Sequence, residues 1–228
     1  MLSESKRCVA IVFVSLLMLL STRWAEADEQ IGSIYVSAAF IAPWQNGVTA
    51  ETYQTYVAAP GGVSWGWAAG GGVFVTKTIS IDAEFFSTGL MTAREPSRYD
   101  MTFTEERRDR FFGGGVRFHV QPTSHVHLEP VLGLVIADHQ GWSQTEIRRT
   151  YPTTYVSVDP RQTYSLPGGF GVSAGIDVRV GGPRVALLPS FRIHLTTGGD
   201  NDTAPIYYPG GAPSRWTISP GIGVRFEF

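Results

Sequence analysis

The chain has 228 residues, with 18 lysines and arginines against 20 aspartates and glutamates, a net charge of −2, and a single cysteine. Such a balance offers no basic excess to attract nucleic acid, and one thiol excludes a disulfide framework or a thiolate metal site. Glycine and aromatic residues are spread evenly, so nothing divides the chain into separate domains.

The first segment differs in kind from the rest. Lys6 and Arg7 precede an apolar run from Cys8 to Leu20, interrupted only by Ser15, and Trp24-Ala25-Glu26-Ala27 ends in a small-x-small pattern. That order predicts a secretory signal peptide over 1–27, cleaved after Ala27, since a 13-residue run is too short for a stable membrane anchor. Cleavage would remove three basic and two acidic residues, leaving 15 basic against 18 acidic and no cysteine in a single domain over 28–228.

Beyond residue 30, alternation with period two recurs about eight times. Predicted strands cover 33–44, 63–76, 79–90, 110–120, 126–137, 170–180, 185–196 and 216–228. Their apolar parity holds Ile34, Val36 and Phe40; Trp65, Trp67, Val73 and Val75; Ile79, Ile81 and Phe85; Phe112, Val116 and Phe118; Leu128, Leu132, Leu134 and Ile136. The sixth strand sets Phe170, Val172, Ile176, Val178 and Val180 against Ser173, Asp177 and Arg179. The seventh sets Val185, Leu187, Phe191, Ile193 and Leu195 against Ser190, Arg192, His194 and Thr196. In the last, Trp216, Ile218, Ile222, Val224, Phe226 and Phe228 oppose Thr217, Ser219, Arg225 and Glu227.

The connections alternate in length. Short ones fall around Lys77, 121–125 and 181–184, and long ones over 45–62, 91–109, 138–168 and 197–215. Short turns at one end and long loops at the other describe an eight-stranded antiparallel up-and-down transmembrane β-barrel, all-β, with the turns in the periplasm. A soluble barrel would invert the parity, with its apolar face inward. Three features favour lipid. Trp44, Trp65, Trp67, Trp142 and Trp216 fall at or just past the loop-side strand ends, as an aromatic girdle would. The apolar faces carry no charge except Arg110, and Lys77 is the only lysine after the signal. The last residue, Phe228, lies on an apolar face. Pro130, Pro189 and Pro220 fall inside strands, where each removes a ladder donor, and bulges are expected there.

The terminal run Ile222, Val224, Phe226 and Phe228 resembles the assembly signal that the barrel-assembly machinery reads in outer-membrane barrels. Together with Phe170-Gly171-Val172, Asp177, Gly181-Gly182-Pro183-Arg184 and Phe191-Arg192, it makes residues 31–228 similar to the outer membrane protein β-barrel domain superfamily, the small barrels that include outer-membrane proteins A, X and W. The resemblance implies a bacterial outer-membrane location, reached through the periplasm, and contact with outer-membrane lipid and lipopolysaccharide.

The inward parity gathers a lumen charge network: Asp82, Glu84, Arg117, His119, His127, Glu129, Asp177, Arg179, Arg192, His194, Arg225 and Glu227. An eight-stranded barrel is barely wide enough for its own side chains, so these charges must pair with one another. Gly70, Gly72, Gly113, Gly115, Gly133, Gly175 and Gly223 are expected to make room for the arginines. Because most of the network lies toward the turns, the loop-side half is left as a candidate cup. His119, His127 and Glu129 have the chemistry of a zinc set, against which pairing with arginine is the expectation; no metal and no cofactor is assigned. His194-Leu195-Thr196 resembles the His-x-Ser-Asn motif of outer-membrane lipid A deacylases, but Thr196 and Thr197 replace Ser and Asn and the parity turns His194 inward. No catalytic residue is assigned. Residues 140–166 mix tyrosine and arginine (Arg148, Arg149, Tyr151, Tyr155, Arg161), types that dominate binding hot spots. The expectation is a non-enzymatic, envelope-structural or surface-interaction protein. Its loops would meet an extracellular macromolecule; the alternative is a conduit or cup for a small hydrophobic molecule, and the next a lipid A-modifying enzyme.

Overall fold

The computed structural model describes residues 31–45, 48–51, 56–59, 61–96, 101–123, 125–149, 155–182, 184–197 and 216–228. The expected signal peptide over 1–27 and nearly all of the expected loop over 197–215 lie outside the described residues.

Eight strands form the wall: β1 (Ile34–Ile41), β2 (Gly66–Thr76), β3 (Ile79–Thr88), β4 (Met101–Phe118), β5 (Val126–Arg149), β6 (Gln162–Gly181), β7 (Val185–Thr196) and β8 (Trp216–Glu227). Each is antiparallel to the next, and β1 closes on β8 from Tyr35↔Glu227 to Ile41↔Gly221. The protein is therefore an all-β, eight-stranded antiparallel up-and-down transmembrane barrel, in which closure leaves no sheet edge along the wall. Its outer face is apolar: Phe40, Ile81, Phe112, Leu134, Ile136, Phe170, Val172, Val185 and Ile222 are all more than half exposed. A surface that exposes this much hydrocarbon in one continuous band matches a bilayer and not water.

Three strands run longer than the alternation predicts. β4 has 18 residues, β5 24 and β6 20, whereas about 9–11 suffice to cross a bilayer. Most of the expected loops over 91–109 and 138–168 is thus strand, with Met91–Pro96 added to β4 and Tyr155–Val158 to β5. The reason is visible in Glu105-Glu106-Arg107-Arg108-Asp109-Arg110, where charges occupy both parities. Once both faces are polar the period-two signal vanishes, although the ladder continues without slip from Val131↔Arg117 to Ile147↔Met101. Of the tyrosines and arginines singled out there, Tyr151 lies outside the described residues and Arg161 directly precedes β6.

The prolines do not create bulges. Pro189 stays in register with Ile222, and the β6–β7 register is the same on either side of it, with a gap between Asp177↔Ser190 and Val180↔Leu187. Pro220 pairs with Phe191 on one side; on the other its carbonyl accepts a bond from the Ala42 amide, just beyond the end of β1. Pro130 pairs with Ile176 next to the last β4–β5 pair, Val131↔Arg117. Each missing donor falls at a gap or an end of a ladder, so no extra residue is needed. The register shifts lie elsewhere, between Phe74 and Thr76, Val120 and Thr123, and Ala137 and His139.

Candidate functional site

Inward-facing side chains fill the lumen in three tiers. The lowest, at the turn side, is ionic. β4 directs Arg117 to Asp82 (2.5 Å), Glu129 (3.0 Å) and Asp177. β7 directs Arg192 to Asp177 at 2.5 and 2.9 Å and to Glu84 at 3.2 Å. Arg225 donates to both oxygens of Glu129 at 2.7 and 2.6 Å and lies 3.5 Å from the centre of the Tyr35 ring. Arg179 reaches Glu227 at 2.8 Å and Glu129 at 3.6 Å, with one nitrogen against His127.

Glu129 and Asp177 are wholly enclosed. Such carboxylates are tolerable only because several guanidinium groups surround each of them, which offsets the loss of hydration. Glu129 is the hub: Arg117, Arg225 and Arg179 reach it, and His119 Nδ1 lies 3.3 Å away. His119 Nε2 meets Ser80 Oγ at 3.0 Å, Ser80 donates to Asp82 at 2.7 Å, and Tyr35 donates to the same carboxylate oxygen.

Two glycines fit this tier sterically. A Cβ on Gly175 would lie 2.6 Å from Arg192 Cδ, and one on Gly72 would lie 2.4 Å from Asp82 and 2.5 Å from the Tyr35 hydroxyl. His119, His127 and Glu129 do not converge on a common point; His127 faces Arg179 while His119 faces Glu129 and Ser80. Among the described residues no group of three or more histidine, cysteine, aspartate or glutamate side chains is arranged to hold a metal ion.

The middle tier is apolar: Ile41, Ala68, Phe86, Phe111, Val135 and Ala137 pack together. His194 belongs here, stacked on Phe111 at 4.9 Å and 12° and edge-on to Phe86 at 4.9 Å. Neither of its ring nitrogens has a hydrogen-bond partner among the described residues. Thr196 is buried and turned inward with it, so the segment resembling a deacylase motif presents no nucleophile to the outer wall. Between these two tiers a void of about 20 Å³, lined by Ser37, Glu84, Ser190, Arg192 and Ser219 among others, has room for about one water molecule.

The third tier occupies the loop-side half, which the sequence left as a cup. Gln45 donates to Asp109 at 2.6 Å and to Thr217 at 2.8 Å and accepts from Arg107; Arg107 Nε lies 3.3 Å from Asp109. His139 Nδ1 meets Asp109 at 2.7 Å, and the Asp109 amide donates to Thr88 at 2.9 Å. These groups, with Tyr35, Phe74, Phe86 and Phe111, are what sequence reasoning missed. Their signal was the inward parity itself: 117, 111, 109 and 107 on β4 and 129, 135, 137 and 139 on β5 continue one phase past the expected strand ends.

Outside, Trp44, Trp65, Trp67 and Trp216 are exposed near the loop-side end, while Trp142 lies four residues past Asp138 along β5, with Arg161 and Arg108 at 5.0 and 5.9 Å from its ring. Ile222, Val224, Phe226 and Phe228 all face outward. At the top of the apolar band Arg110 and Asp138 lie opposite each other on the outer face, 3.8 Å apart.

No protein-family model matches the sequence, and no curated protein does. The fold has solved counterparts. A major outer membrane protein from Thermus thermophilus is 12% identical over 86% of this chain and 99% of that chain, with a TM-score of 0.52. The outer membrane protein OprG from Pseudomonas aeruginosa is 7% identical over 90% of this chain and 99% of that chain, with a TM-score of 0.50. At these identities the likeness is one of fold.

Proposed function

We propose that this protein is a non-enzymatic, non-conducting barrel of a bacterial outer membrane, exported after loss of residues 1–27, that stabilises the envelope and presents its loop-side strands to the outer surface. The observation that carries this reading is the pairing of an apolar outer wall with a lumen filled at three successive levels. An ion entering from the loops would first have to part Gln45, Arg107, Asp109 and His139. It would then have to cross an aromatic layer that offers no hydration, and finally displace carboxylates from Arg117 and Arg192.

On this reading the partners are outer-membrane lipid and lipopolysaccharide around the wall. The barrel-assembly machinery would meet Ile222, Val224, Phe226 and Phe228 during insertion, and a macromolecule would bind at the sheet that β4, β5 and β6 extend past the bilayer. That sheet carries paired charge, Arg161 with Glu106 and Arg94 with Glu146, as a solvated platform does.

Planar-bilayer recording of the purified protein tests the proposal. The expected trace has no discrete openings across either polarity of applied voltage. Reproducible unitary steps would overturn it in favour of a pore.

A further inference from the structure

On the outer wall, just above the apolar band, the ladder between β3 and β4 breaks. The last pair of β3 is Ser87↔Arg110, and pairing resumes at Met91↔Arg107, one residue out of step. The break leaves an open cleft of about 430 Å³, within the size range of small-ligand sites, lined by Trp65, Trp67, Phe85, Gly89, Arg108 and Arg110 among others.

Three features of the cleft point the same way. Its floor is aromatic and continuous with the lipid-facing wall: Trp67 lies 4.9 Å from Phe85, and Phe85 lies 4.8 Å from Phe112. Its upper rim carries two cations, Arg108 and Arg110, both on the outward parity of β4, and no carboxylate among the described residues lines it. Asp138 stands 3.8 Å from Arg110, with both side chains substantially exposed, which makes it a weak competitor for an anion. The cleft is also shaped by backbone: a Cβ on Gly89 would lie 2.1 Å from the Trp65 carbonyl oxygen, so only glycine lets these two segments approach.

We infer that this cleft is a binding site for an anionic amphiphile of the surrounding leaflet that bears a phosphate monoester, its phosphate held by Arg108 and Arg110 and its first acyl carbons laid on Trp67, Phe85 and Phe112. The inference rests on the membrane reading above and adds to it a defined site and ligand class. An arginine fork suits a phosphate, and an aromatic floor at the interface suits the glycerol or sugar region of a lipid. The two halves of the site lie in the order in which a lipid presents them to a barrel standing in its leaflet.

The test uses the full-length mature protein in phosphatidylcholine nanodiscs doped with diphosphoryl lipid A, with retained lipid counted by native mass spectrometry. Insertion is scored separately, by heat-modifiable gel migration. The expected result is one tightly retained lipid A per protein, and a roughly thirtyfold weaker retention in an Arg108→Ala, Arg110→Ala double variant that inserts normally. Arg94→Ala, on the strand Met91–Pro96 that pairs with β4 but outside the cleft, should retain lipid as the parent does. Lipid A stripped of its phosphates should be held no better by the parent than by the double variant. Equal retention by parent and double variant, or of phosphorylated and stripped lipid, would overturn the site while leaving the membrane reading intact. Failure to insert at all would overturn that reading first.

Discussion

Replacing Glu129 with alanine is expected to cost the barrel about 3–5 kcal/mol of unfolding free energy, the range found when one partner of a buried ionic cluster is removed. The size follows from position. Glu129 is wholly buried and is approached by Arg117, Arg225 and Arg179, so its loss leaves positive groups enclosed without their main counter-charge. Glu129→Gln, which keeps an acceptor of the same shape, should fall between the parent and the alanine variant. Asp138→Ala breaks an exposed pair at 3.8 Å with Arg110 and should cost about 1 kcal/mol or less. Urea unfolding in lipid vesicles, followed by tryptophan fluorescence, gives all three numbers. A Glu129→Ala cost below about 1 kcal/mol would mean that water reaches this tier and that the lumen is not a sealed plug.

A second large effect is expected on the opposite face of the same strand. Leu132 lies on the outer face of β5 near the middle of the apolar band that runs from Val126 to Ile136. Leu132→Arg should lower stability in vesicles by about 2–4 kcal/mol, as a guanidinium at the bilayer midplane does, whereas Gln140→Arg, above the band, should change it by about 0–1 kcal/mol. The same substitution on the surface of a soluble protein would be nearly neutral, within about 0.5 kcal/mol. Refolding yield into vesicles at matched urea concentration reads the difference. A neutral Leu132→Arg would remove the bilayer from the explanation.

Both expectations draw on the part of the molecule that was most legible in the sequence. Parity sorted Leu132 and Leu134 to one face and Glu129 to the other because a barrel strand has two solvents, lipid and lumen, and alternation records that contrast directly. Closure and strand number were legible from the same repeat. Where the wall rises past the bilayer the contrast disappears, since both faces then meet polar surroundings. The upper nine residues of β4, Met101 to Asp109, therefore read as loop although they pair continuously with β5. Asp109, Arg107 and His139 went unnoticed for that reason alone. The apolar middle tier was hidden differently: Phe86 and Phe111 look like exceptions to a polar parity until the register shows them directly paired on β3 and β4, their rings 5.6 Å apart inside the lumen. Periodicity assigns a side chain to a face but not to a height, and the three-tier filling is a matter of height. The prolines teach a related point. A missing amide forces a bulge only where the ladder would otherwise have used it, and at Pro189 and Pro220 the partner strand leaves a gap or ends.

The claim beneath all of this is that the apolar face of the sheet meets hydrocarbon. Spin labels placed one at a time at Leu128, Leu132, Leu134, Ile136 and Gln140, all on the outward parity of β5, measure it directly in vesicles by collision with oxygen and with a water-soluble nickel chelate. The account predicts oxygen access greatest at Leu132, nickel access lowest there, and a reversal by Gln140. Uniform nickel access along the whole series would contradict it.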